Sequence, residues 1–288
     1  MKPSITWVVQ AGDPVTVGGV LLALPKIDVG RIFLNGRPVS LEENVEPGDR
    51  IDIHPRREAA VGGLRILAQR DGVMLVDKPA GLPTETTKQG EDSVISELLR
   101  SLRGGHVHAA TRLDVAVSGV VACCLGRDAS RTFEEWREHG QVRRTYLAIA
   151  RASDLPAEGV WNTPLARGRD SAGRDRARLG GSDAAPALTQ FRVIRRARAS
   201  LLELTPTTGR MHQLRAHAAG AGAPFVGDRL YGGPTSIVTV DGRVAPFDRV
   251  ALHCVRIELP ALDAVAPIPE ELRLAWREFG GSDSDWGY

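Results

Sequence analysis

With 288 residues, the chain is long enough for one large domain, or for one domain with a small appendage. The net charge is only +2, from 37 basic and 35 acidic residues, which excludes a uniformly basic protein. The basic residues are nevertheless almost all arginines. The planar guanidinium group suits phosphates and base edges, although a compositional bias of the genome explains the same preference.

Several classes of protein and site are not expected from the sequence. No apolar run reaches the roughly 20 residues of a membrane span, and Met1–Ala23 lacks the basic start and long apolar stretch of a signal peptide. Cys123, Cys124 and Cys254 lie in apolar, strand-like runs without metal-ligand spacing. We therefore expect reduced core cysteines, no metal site, no membrane association and a cytoplasmic location.

The first segment, up to Arg57, is predicted to fold separately. Ile32–Leu34 is typical of a short strand, and the following Asn35-Gly36 pair is a strong hairpin-turn signal. The "PGD" stretch from residue 47 to residue 49 then precedes an alternating strand that places Ile51 and Ile53 on one side. The pattern predicts a compact hairpin module.

The "LNG" and "PGDRI" stretches of this segment resemble the second half of an S4-type RNA-binding domain, whereas the helical first half is much less clear. The resemblance implies an RNA-binding module over residues 1–57, joined by a linker over residues 58–63 to a second domain over residues 64–288. A small β-rich appendage without a ligand is the alternative. Five arginines of the segment supply cations for a phosphate backbone: Arg31, Arg37, Arg50, Arg56 and Arg57.

The second domain is predicted to contain more strands than helices. Because the strands follow one another at hairpin spacing, we expect an α+β fold with a mixed or mostly antiparallel central sheet and flanking helices. The predicted elements are strands at Ile66-Leu67 and Val73–Val76, a helix capped by Ser93, a strand over Val115–Leu125, a helix over Ala129–His139, a strand over Arg143–Ala150, an exposed insertion or hairpin over Arg167–Ala185, strands over Ala187–Arg196 and Ala199–Gly209, a helix beginning near Met211, and a strand over Arg249–Pro260.

The stretch "ATRLDVAVSGVV" places one carboxylate, Asp114, inside an otherwise apolar run. It follows Arg112 closely and precedes a Ser118-Gly119 turn signal. A buried carboxylate costs several kcal/mol unless a cation or hydrogen-bond donors meet it. The sequence therefore indicates either a structural Arg–Asp pair or a working acid.

Four more stretches carry polar residues without an evident structural reason. Taken singly each is a weak signal, because a tyrosine in a strand is usually a core residue and an Arg/His cluster at a helix start is usually a solvated face or an anion site. The stretches are "VDKPAGLPT" with Asp77 and Lys78, "RRTYLA" with Tyr146, "TGRMHQLRAH" with Arg210, His212, Gln213, Arg215 and His217, and "GDRLYGG" with Asp228, Arg229 and Tyr231.

In their order along the chain, these stretches resemble the successive motifs of the RluA-type pseudouridine synthases. The resemblance runs from about Leu64 to Pro260, and its most specific part is "TGRMHQLRAH" followed by "VGDRLYGG". It implies a pseudouridine synthase fold and an isomerase that converts a uridine within RNA to pseudouridine without a cofactor or metal. Ribosomal or transfer RNA is then the expected partner, with no obligate protein partner.

The resemblance also implies roles for individual residues. Asp114 matches the catalytic aspartate, Tyr146 the tyrosine that packs against the target base, and Arg215 the basic residue that pairs with the aspartate. Leu252 matches an apolar wall of the uracil pocket, and Arg112 an arginine that occupies the space vacated by the flipped nucleotide. Three residues around the start of the following helix complete the expected substrate-binding set: Arg210, His212 and Gln213.

The sequence departs from the family pattern beside Asp114. Family members usually read "HRLD", then a polar or basic residue, and a threonine before Ser-Gly, whereas Thr111, Val115 and Val117 stand at these positions here. The RNA contact next to the carboxylate, and with it the identity of the RNA, is therefore open. It is also open whether the carboxylate attacks C1′ or removes a proton from C2′.

Two other functions compete with the isomerase. A non-catalytic RNA-binding or assembly factor on a decayed scaffold fits the altered residues, but it has no need to keep Asp114, Tyr146 and Arg215 together. A hydrolase with Asp114 as nucleophile and His212 or His217 as base lacks any nucleophile-elbow or metal-ligand pattern. We therefore expect the isomerase.

Overall fold

The computed structural model describes residues 5–23, 29–55, 63–86, 92–102, 106–151, 154–239 and 242–288. It separates into an N-terminal unit, Met1–Val61, and a C-terminal unit, Gly62–Tyr288. The predicted linker over residues 58–63 lies outside the described residues except for Gly63, as do Arg56 and Arg57.

The N-terminal unit is a small antiparallel sheet with one helix. Its strands are β1 (Ile5–Val8), β2 (Val29–Leu34), β3 (Arg37–Pro38) and β4 (Arg50–Pro55), in the order β1-β4-β2-β3, and its helix is α1 (Val17–Ala23).

The predicted hairpin of this unit is confirmed. Asn35 and Gly36 both have positive φ angles, 50° and 82°, as a tight turn between twisted strands requires. The Asn35 side chain accepts a hydrogen bond from the Arg50 backbone N–H at 2.9 Å. Ile51 and Ile53 point to the same side of β4 and are fully buried in the core of the unit.

The C-terminal unit contains fourteen further strands, four helices and two 3₁₀ turns in the part of the chain that is described. They are β5 (Arg65–Arg70), β6 (Val73–Lys78), α2 (Val94–Ser101), β7 (Val107–Ala109), β8 (Ser118–Leu125), α3 (Gly126–Glu138), β9 (Arg143–Arg151), β10 (Glu158–Trp161), β11 (Leu165–Arg169), β12 (Asp175–Leu179), β13 (Thr189–Arg196), β14 (Ala199–Pro206), α4 (Gln213–Gly220), a 3₁₀ turn (Arg229–Tyr231), β15 (Ser236–Val238), β16 (Val244–Pro246), β17 (Leu252–Leu259), β18 (Leu262–Val265), α5 (Glu270–Glu278) and a 3₁₀ turn (Asp283–Trp286).

A ten-stranded sheet organises this unit. Its strands follow the order β10-β13-β14-β9-β17-β8-β6-β5, with β18 paired to β17 and β7 paired to β8. All of its pairs are antiparallel except β17 with β8, which is parallel. The predicted α+β class with a mixed, mostly antiparallel sheet is therefore confirmed. The segment predicted as an insertion or hairpin contains a separate two-stranded hairpin, β11–β12.

Strand β9 sends its side chains alternately into two apolar cores, as the twofold period of a strand requires. Tyr146 and Ala148 join the core beneath α3, whereas Leu147 and Ile149 join the core beneath α5, where Trp276 is fully buried. Sequence reasoning assigned no element after Pro260, so α5 was missed. Five of its nine residues are charged, so the sequence shows no clear apolar face although Leu272, Ala275 and Trp276 are buried.

The start of β8 corrects one prediction. The predicted strand over Val115–Leu125 begins only at Ser118, and Ser118-Gly119 is not a turn but the point at which β8 pairs with β17. Gly119 has a φ of 116°, and a Cβ on it would lie 2.1 Å from the Cys254 carbonyl oxygen. The glycine is required because two backbones approach closely here, which a local pattern of small residues does not distinguish from a turn.

We therefore expect Gly119→Ala to destabilise the C-terminal unit by roughly 2–6 kcal/mol, from backbone strain and steric overlap together. Gly140→Ala is the matched control, because Gly140 also has a positive φ but nothing lies within 4 Å of a Cβ there; it should cost about 1–2 kcal/mol. Urea unfolding of both variants measures the difference, and equal losses contradict the close-contact explanation.

Candidate active site

Asp114 lies on the loop between β7 and β8 and not inside a strand. Its side chain is 30% exposed, so the carboxylate is only partly buried. The loop turns tightly after it, because the Val117 N–H donates to the Asp114 carbonyl oxygen at 3.0 Å. The carboxylate is thus presented at the surface of the core rather than within it.

The "DKPAGLPT" stretch, which begins with the last two residues of β6, holds the Asp114 loop from both sides. The Thr84 hydroxyl donates to the Leu113 carbonyl oxygen at 3.0 Å and accepts from the Leu113 N–H at 3.1 Å. The Gly81 N–H donates to the Val115 carbonyl oxygen at 2.6 Å, and the Lys78 ammonium lies 3.4 Å from the same oxygen. Sequence reasoning left this stretch unexplained, and the structure shows that it positions the residues on either side of Asp114.

Lys78 is a fully buried lysine whose Nζ also donates to the Leu82 and Pro79 carbonyl oxygens, at 2.7 and 3.0 Å. Burial lowers the pKa of Lys78 to about 7, the Arg249 charge adds to this effect, and the Asp114 charge opposes it. The Lys78 amine is thus surrounded by backbone carbonyl oxygens, and its contact with the Val115 oxygen helps to hold the Asp114 loop.

Arg215 joins two carboxylates. Its Nη1 donates to Asp114 Oδ2 at 2.7 Å, while Nε and Nη2 donate to the two oxygens of Asp228 at 2.7 and 2.8 Å. Arg215 is 8% exposed and Asp228 is fully buried. Burial disfavours the charge, but the hydrogen bonds and charges of Asp228 and Asp114 outweigh it and raise the pKa of Arg215. Asp228 therefore fixes the guanidinium that meets Asp114.

Tyr231 covers the other side of this guanidinium. Its ring centroid lies 5.1 Å from the guanidinium carbon of Arg215 and 5.0 Å from that of Arg176 on β12. Its hydroxyl accepts from the Ala177 N–H at 2.7 Å and lies 3.3 Å from the Ala177 carbonyl oxygen. Tyr231 thus connects the β11–β12 hairpin to the Arg215–Asp114 pair. Sequence reasoning gave neither Tyr231 nor Asp228 a role, and the glycine-bounded "GDRLYGG" stretch was the only signal for them.

His212 precedes α4 and faces Asp114. Its Nε2 lies 3.7 Å from Asp114 Oδ2, and its Nδ1 lies 3.2 Å from the Tyr231 hydroxyl oxygen. Burial lowers the pKa of His212, while the Asp114 charge acts in the opposite direction. The predicted site residues Asp114, Arg215 and His212 are therefore brought together.

Tyr146 and Leu252 contribute to one apolar core. Both are buried, at 6% and 3% exposure, and Tyr146 is paired with Cys254 in the sheet register. Burial raises the pKa of the Tyr146 phenol, and the charges of Cys254 and Asp114 act in the same direction. The Asp114 charge thus acts on the Tyr146 phenol, which remains neutral.

Gln213 does not fit the predicted substrate contact. It is 4% exposed, and its amide donates to the Leu188 carbonyl oxygen and the Thr189 hydroxyl while its carbonyl accepts from Thr208 and from the Arg210 N–H. Both of its polar atoms are thus used inside the fold, so Gln213 holds the start of α4. The Arg210 side chain is exposed, and its Nε donates to a backbone carbonyl oxygen at 3.1 Å.

Arg112 does not pair with Asp114. Its exposed guanidinium donates to Glu85 Oε2 at 3.2 Å, while Asp114 pairs with Arg215. The structural Arg112–Asp114 pair considered from the sequence is therefore not formed.

Two of the three departures from the family pattern point inward. The Thr111 hydroxyl accepts from the Ala122 N–H at 2.9 Å, and Val117 is 2% exposed. Val115 differs, because it is 45% exposed directly beside Asp114. Val115 is thus the one of the three departures whose side chain is exposed beside the carboxylate.

Within the described ranges, no group of three or more His, Cys, Asp or Glu side chains is arranged to hold a metal ion. The described part of the chain also contains no helix long and apolar enough to cross a membrane.

Comparisons with known proteins show which family the chain resembles. The profile of a family described as RNA pseudouridylate synthase matches residues 72–220. The chain is 32% identical over 266 residues to the RNA pseudouridine synthase YhcT of Bacillus subtilis, covering 86% of this chain and 82% of that protein. It is 34% identical over 274 residues to the ribosomal large subunit pseudouridine synthase D of Xylella fastidiosa, covering 85% and 80%. It is 34% identical over 176 residues to the dual-specificity synthase RluA of Escherichia coli, covering 59% and 78%.

Solved structures show the same fold. The human RNA pseudouridylate synthase domain containing 1 superposes with a TM-score of 0.62 at 24% identity, covering 76% of this chain and 90% of that one. The human protein called RNA pseudouridylate synthase domain containing 4 superposes with a TM-score of 0.58 at 25% identity, covering 75% of this chain and 92% of that one.

The buried lysine leads to a pH dependence of stability. Because the folded pKa of Lys78 is about 7 and the unfolded value is 10.5, the unfolded chain binds more protons between these values, so stability rises with pH through that window. The free energy of unfolding of the wild type minus that of Lys78→Met should therefore increase from about pH 7 to about pH 8.5, by up to about 1.4 kcal/mol per pH unit. Urea unfolding at several pH values measures this difference, and a constant difference means that the ammonium stays charged among its carbonyl partners.

Proposed function

Because the chain belongs to the RNA pseudouridine synthase family of the RluA type and isomerises uridine in RNA to pseudouridine, we propose that Asp114 is the catalytic carboxylate of this reaction. The observation that carries the proposal is the 2.7 Å contact between Asp114 Oδ2 and Arg215 Nη1 at an opening of the core. Among the described residues, Asp114 Oδ1 has no hydrogen-bond partner. One oxygen is thus held and the other is free to meet the substrate.

The reaction requires a single anionic oxygen close to the ribose. The bond between uracil N1 and C1′ breaks, the base turns, C5 bonds to C1′, the C5–H bond breaks and N1 gains a proton. The free oxygen of Asp114 can either add to C1′ or remove the C2′ proton, and both routes require an ionised carboxylate. The adjacent Arg215 guanidinium meets this carboxylate with the opposite charge at 2.7 Å.

We assign the base-binding surface to Tyr146 and Leu252. Their side chains belong to the same apolar core beside the Asp114 loop, and a tyrosine ring offers a flat face for a uracil ring. Because burial raises the pKa of Tyr146, its phenol stays protonated and is a poor base for the C5 proton. Its role is contact with the base.

A uridine stacked in RNA reaches such a pocket only by flipping out, which costs a few kcal/mol. We assign the stabilisation of the flipped state to Arg112, whose side chain is 70% exposed. Its exposed pair with Glu85 is weak, on the order of 1 kcal/mol or less, so RNA can displace the glutamate. The guanidinium is then available for the vacated stack or a phosphate.

The β11–β12 hairpin supplies further cations beside the site. Two of its arginines pair with acidic residues of the same hairpin, Arg169 with Asp175 and Arg174 with Asp170. We assign phosphate contacts to this hairpin, because local charge governs such contacts even when the net charge of the chain is small. Its arginines are Arg167, Arg169, Arg174, Arg176 and Arg178.

The substrate we propose is a structured ribosomal or transfer RNA in the cytoplasm, modified without an obligate protein partner. A relative named as a ribosomal large subunit pseudouridine synthase supports the ribosomal class. The N-terminal unit, through its S4-like hairpin, is proposed to add RNA affinity.

Replacing the carboxylate tests the central assignment. Asp114→Asn and Asp114→Ala should abolish isomerisation while RNA binding stays within a few-fold of wild type, because neither change leaves an anionic oxygen at the ribose. Release of tritium from RNA labelled at uridine C5 measures turnover. Asp128→Asn is the control, since Asp128 is 96% exposed on α3. Normal tritium release by either Asp114 variant refutes the assignment.

Removing the N-terminal unit tests its role. Deletion of Met1–Arg57 should raise KM for RNA far more than it lowers kcat, because the Asp114 site lies wholly within the C-terminal unit. Steady-state kinetics with a fixed RNA substrate separate the two constants. A fall in kcat with an unchanged KM is the result that defeats the affinity role.

A further inference from the structure

His212 has a backbone conformation that few non-glycine residues adopt. Its φ is 51°, and the other two non-glycine residues with positive φ in the described ranges are Asn35 and Asp71. A non-glycine residue held in this region costs about 1–3 kcal/mol and persists where the surrounding structure imposes it. The strained residue lies beside Asp114, so its conformation bears on how the site works.

The contacts of the Tyr231 hydroxyl favour one tautomer of His212. Its oxygen lies 2.7 Å from the Ala177 N–H, 3.3 Å from the Ala177 carbonyl oxygen and 3.2 Å from His212 Nδ1. A hydroxyl has one donor and two acceptor sites. All three contacts are satisfied together only when the hydroxyl donates to the carbonyl oxygen and accepts from both the Ala177 N–H and a protonated His212 Nδ1.

The other tautomer leaves an unfavourable contact. If Nδ1 were the acceptor, the hydroxyl proton would point to His212, and two oxygens would face each other at 3.3 Å without a hydrogen between them. The Nδ1–H tautomer is therefore favoured. Its Nε2 then carries a lone pair, 3.7 Å from Asp114 Oδ2, on a side chain that remains 16% exposed.

We propose that His212 Nε2 is the general base that removes the proton from uracil C5, an inference that rests on the proposed catalytic site around Asp114. Once C5 has bonded to C1′, the C5–H electrons restore the C5–C6 double bond and the electrons of the N1–C6 double bond move to N1. The C5 proton passes to His212 Nε2, and N1 gains a proton from the imidazolium or from water. No oxidant, reductant or further reactant is needed.

The charged groups around His212 leave it neutral near pH 7. Burial and the Arg215 charge lower its pKa below 6.5, while Asp114, Asp228 and Asp175 act in the opposite direction. Arg176 also lies on the adjacent hairpin, over the Tyr231 ring. A neutral imidazole at this pH is a competent base.

Other candidate bases near the site are engaged or in the wrong form. Tyr146 is a phenol with a raised pKa. Lys78 is buried among carbonyl oxygens. His217 is 2% exposed, and its nitrogens lie 3.0 Å from the Thr189 hydroxyl and 2.9 Å from the Thr163 carbonyl oxygen. His212 thus differs in having a nitrogen directed at the reacting carboxylate.

The test is His212→Asn, assayed on RNA that carries uridine or 5-deuterouridine. Asparagine tolerates a positive φ, and its amide can replace Nδ1 as the partner of Tyr231, but it has nothing in the place of Nε2. We expect kcat to fall by about 10²- to 10⁴-fold. We also expect a larger C5 deuterium isotope effect than in wild type, because proton removal becomes the slow step.

Two further variants complete the experiment. Tyr231→Phe removes the hydroxyl that fixes the tautomer, and it should lower kcat less than His212→Asn while also raising the isotope effect; it decides the matter if His212→Asn does not fold. His139→Asn, at the exposed end of α3, is the histidine control and should leave both quantities unchanged. In wild type, kcat should decline as the pH falls through the lowered pKa of His212, and this decline should be absent in His212→Asn.

The outcomes separate this inference from the proposed function. If Asp114→Asn is inactive but His212→Asn keeps the wild-type rate and isotope effect, His212 is not the base and Asp114 remains the catalytic carboxylate. His212 is likewise not the base if His212→Asn is slow with an unchanged isotope effect, since that indicates a positioning role only. If Asp114→Asn is active, the site itself is wrongly assigned.

Discussion

The Arg215 guanidinium donates to two carboxylates at once, the fully buried Asp228 and the partly exposed Asp114. The geometry of the site depends on this double contact. A buried charge left without its partner costs about 3–5 kcal/mol, so Asp228 holds Arg215 in a single orientation. The remaining nitrogen then has one direction in which to donate, and Asp114 lies there at 2.7 Å. The anionic oxygen required for glycosidic chemistry is thereby placed before any RNA binds.

The second constraint is the loop that carries Asp114. Its backbone is bonded on both sides of the carboxylate by Lys78, at the end of β6, and by Gly81 and Thr84 in the stretch that follows. That stretch reaches the loop because β6 and β8 are neighbours in the sheet. The loop also leads directly into the close contact of Gly119 with β17, the strand that supplies Leu252. The carboxylate and Leu252 are thus positioned by adjacent strands.

Tyr231 connects the β11–β12 hairpin to the residues around Asp114. Its ring lies between Arg176 of the β11–β12 hairpin and Arg215 of the site, and its hydroxyl contacts both the hairpin backbone and His212. The hairpin and the residues around Asp114 therefore share one side chain. A net charge of only +2 is compatible with RNA recognition, because the relevant arginines are concentrated beside the site.

By itself the sequence determined the family, the α+β class, most strands of the central sheet and the identities of Asp114, Tyr146 and Arg215 as candidate site residues. These features depend on short-range signals, such as the Asn35-Gly36 turn, the Ser93 cap and the order of the motifs. Tertiary structure decided the pairing of Asp114 with Arg215 instead of Arg112, the internal use of Gln213, the roles of Lys78 and Asp228, and the close strand contact at Gly119. Asp114 and Arg215 are 101 positions apart, and the order of the strands in the sheet, which no local pattern encodes, brings them together.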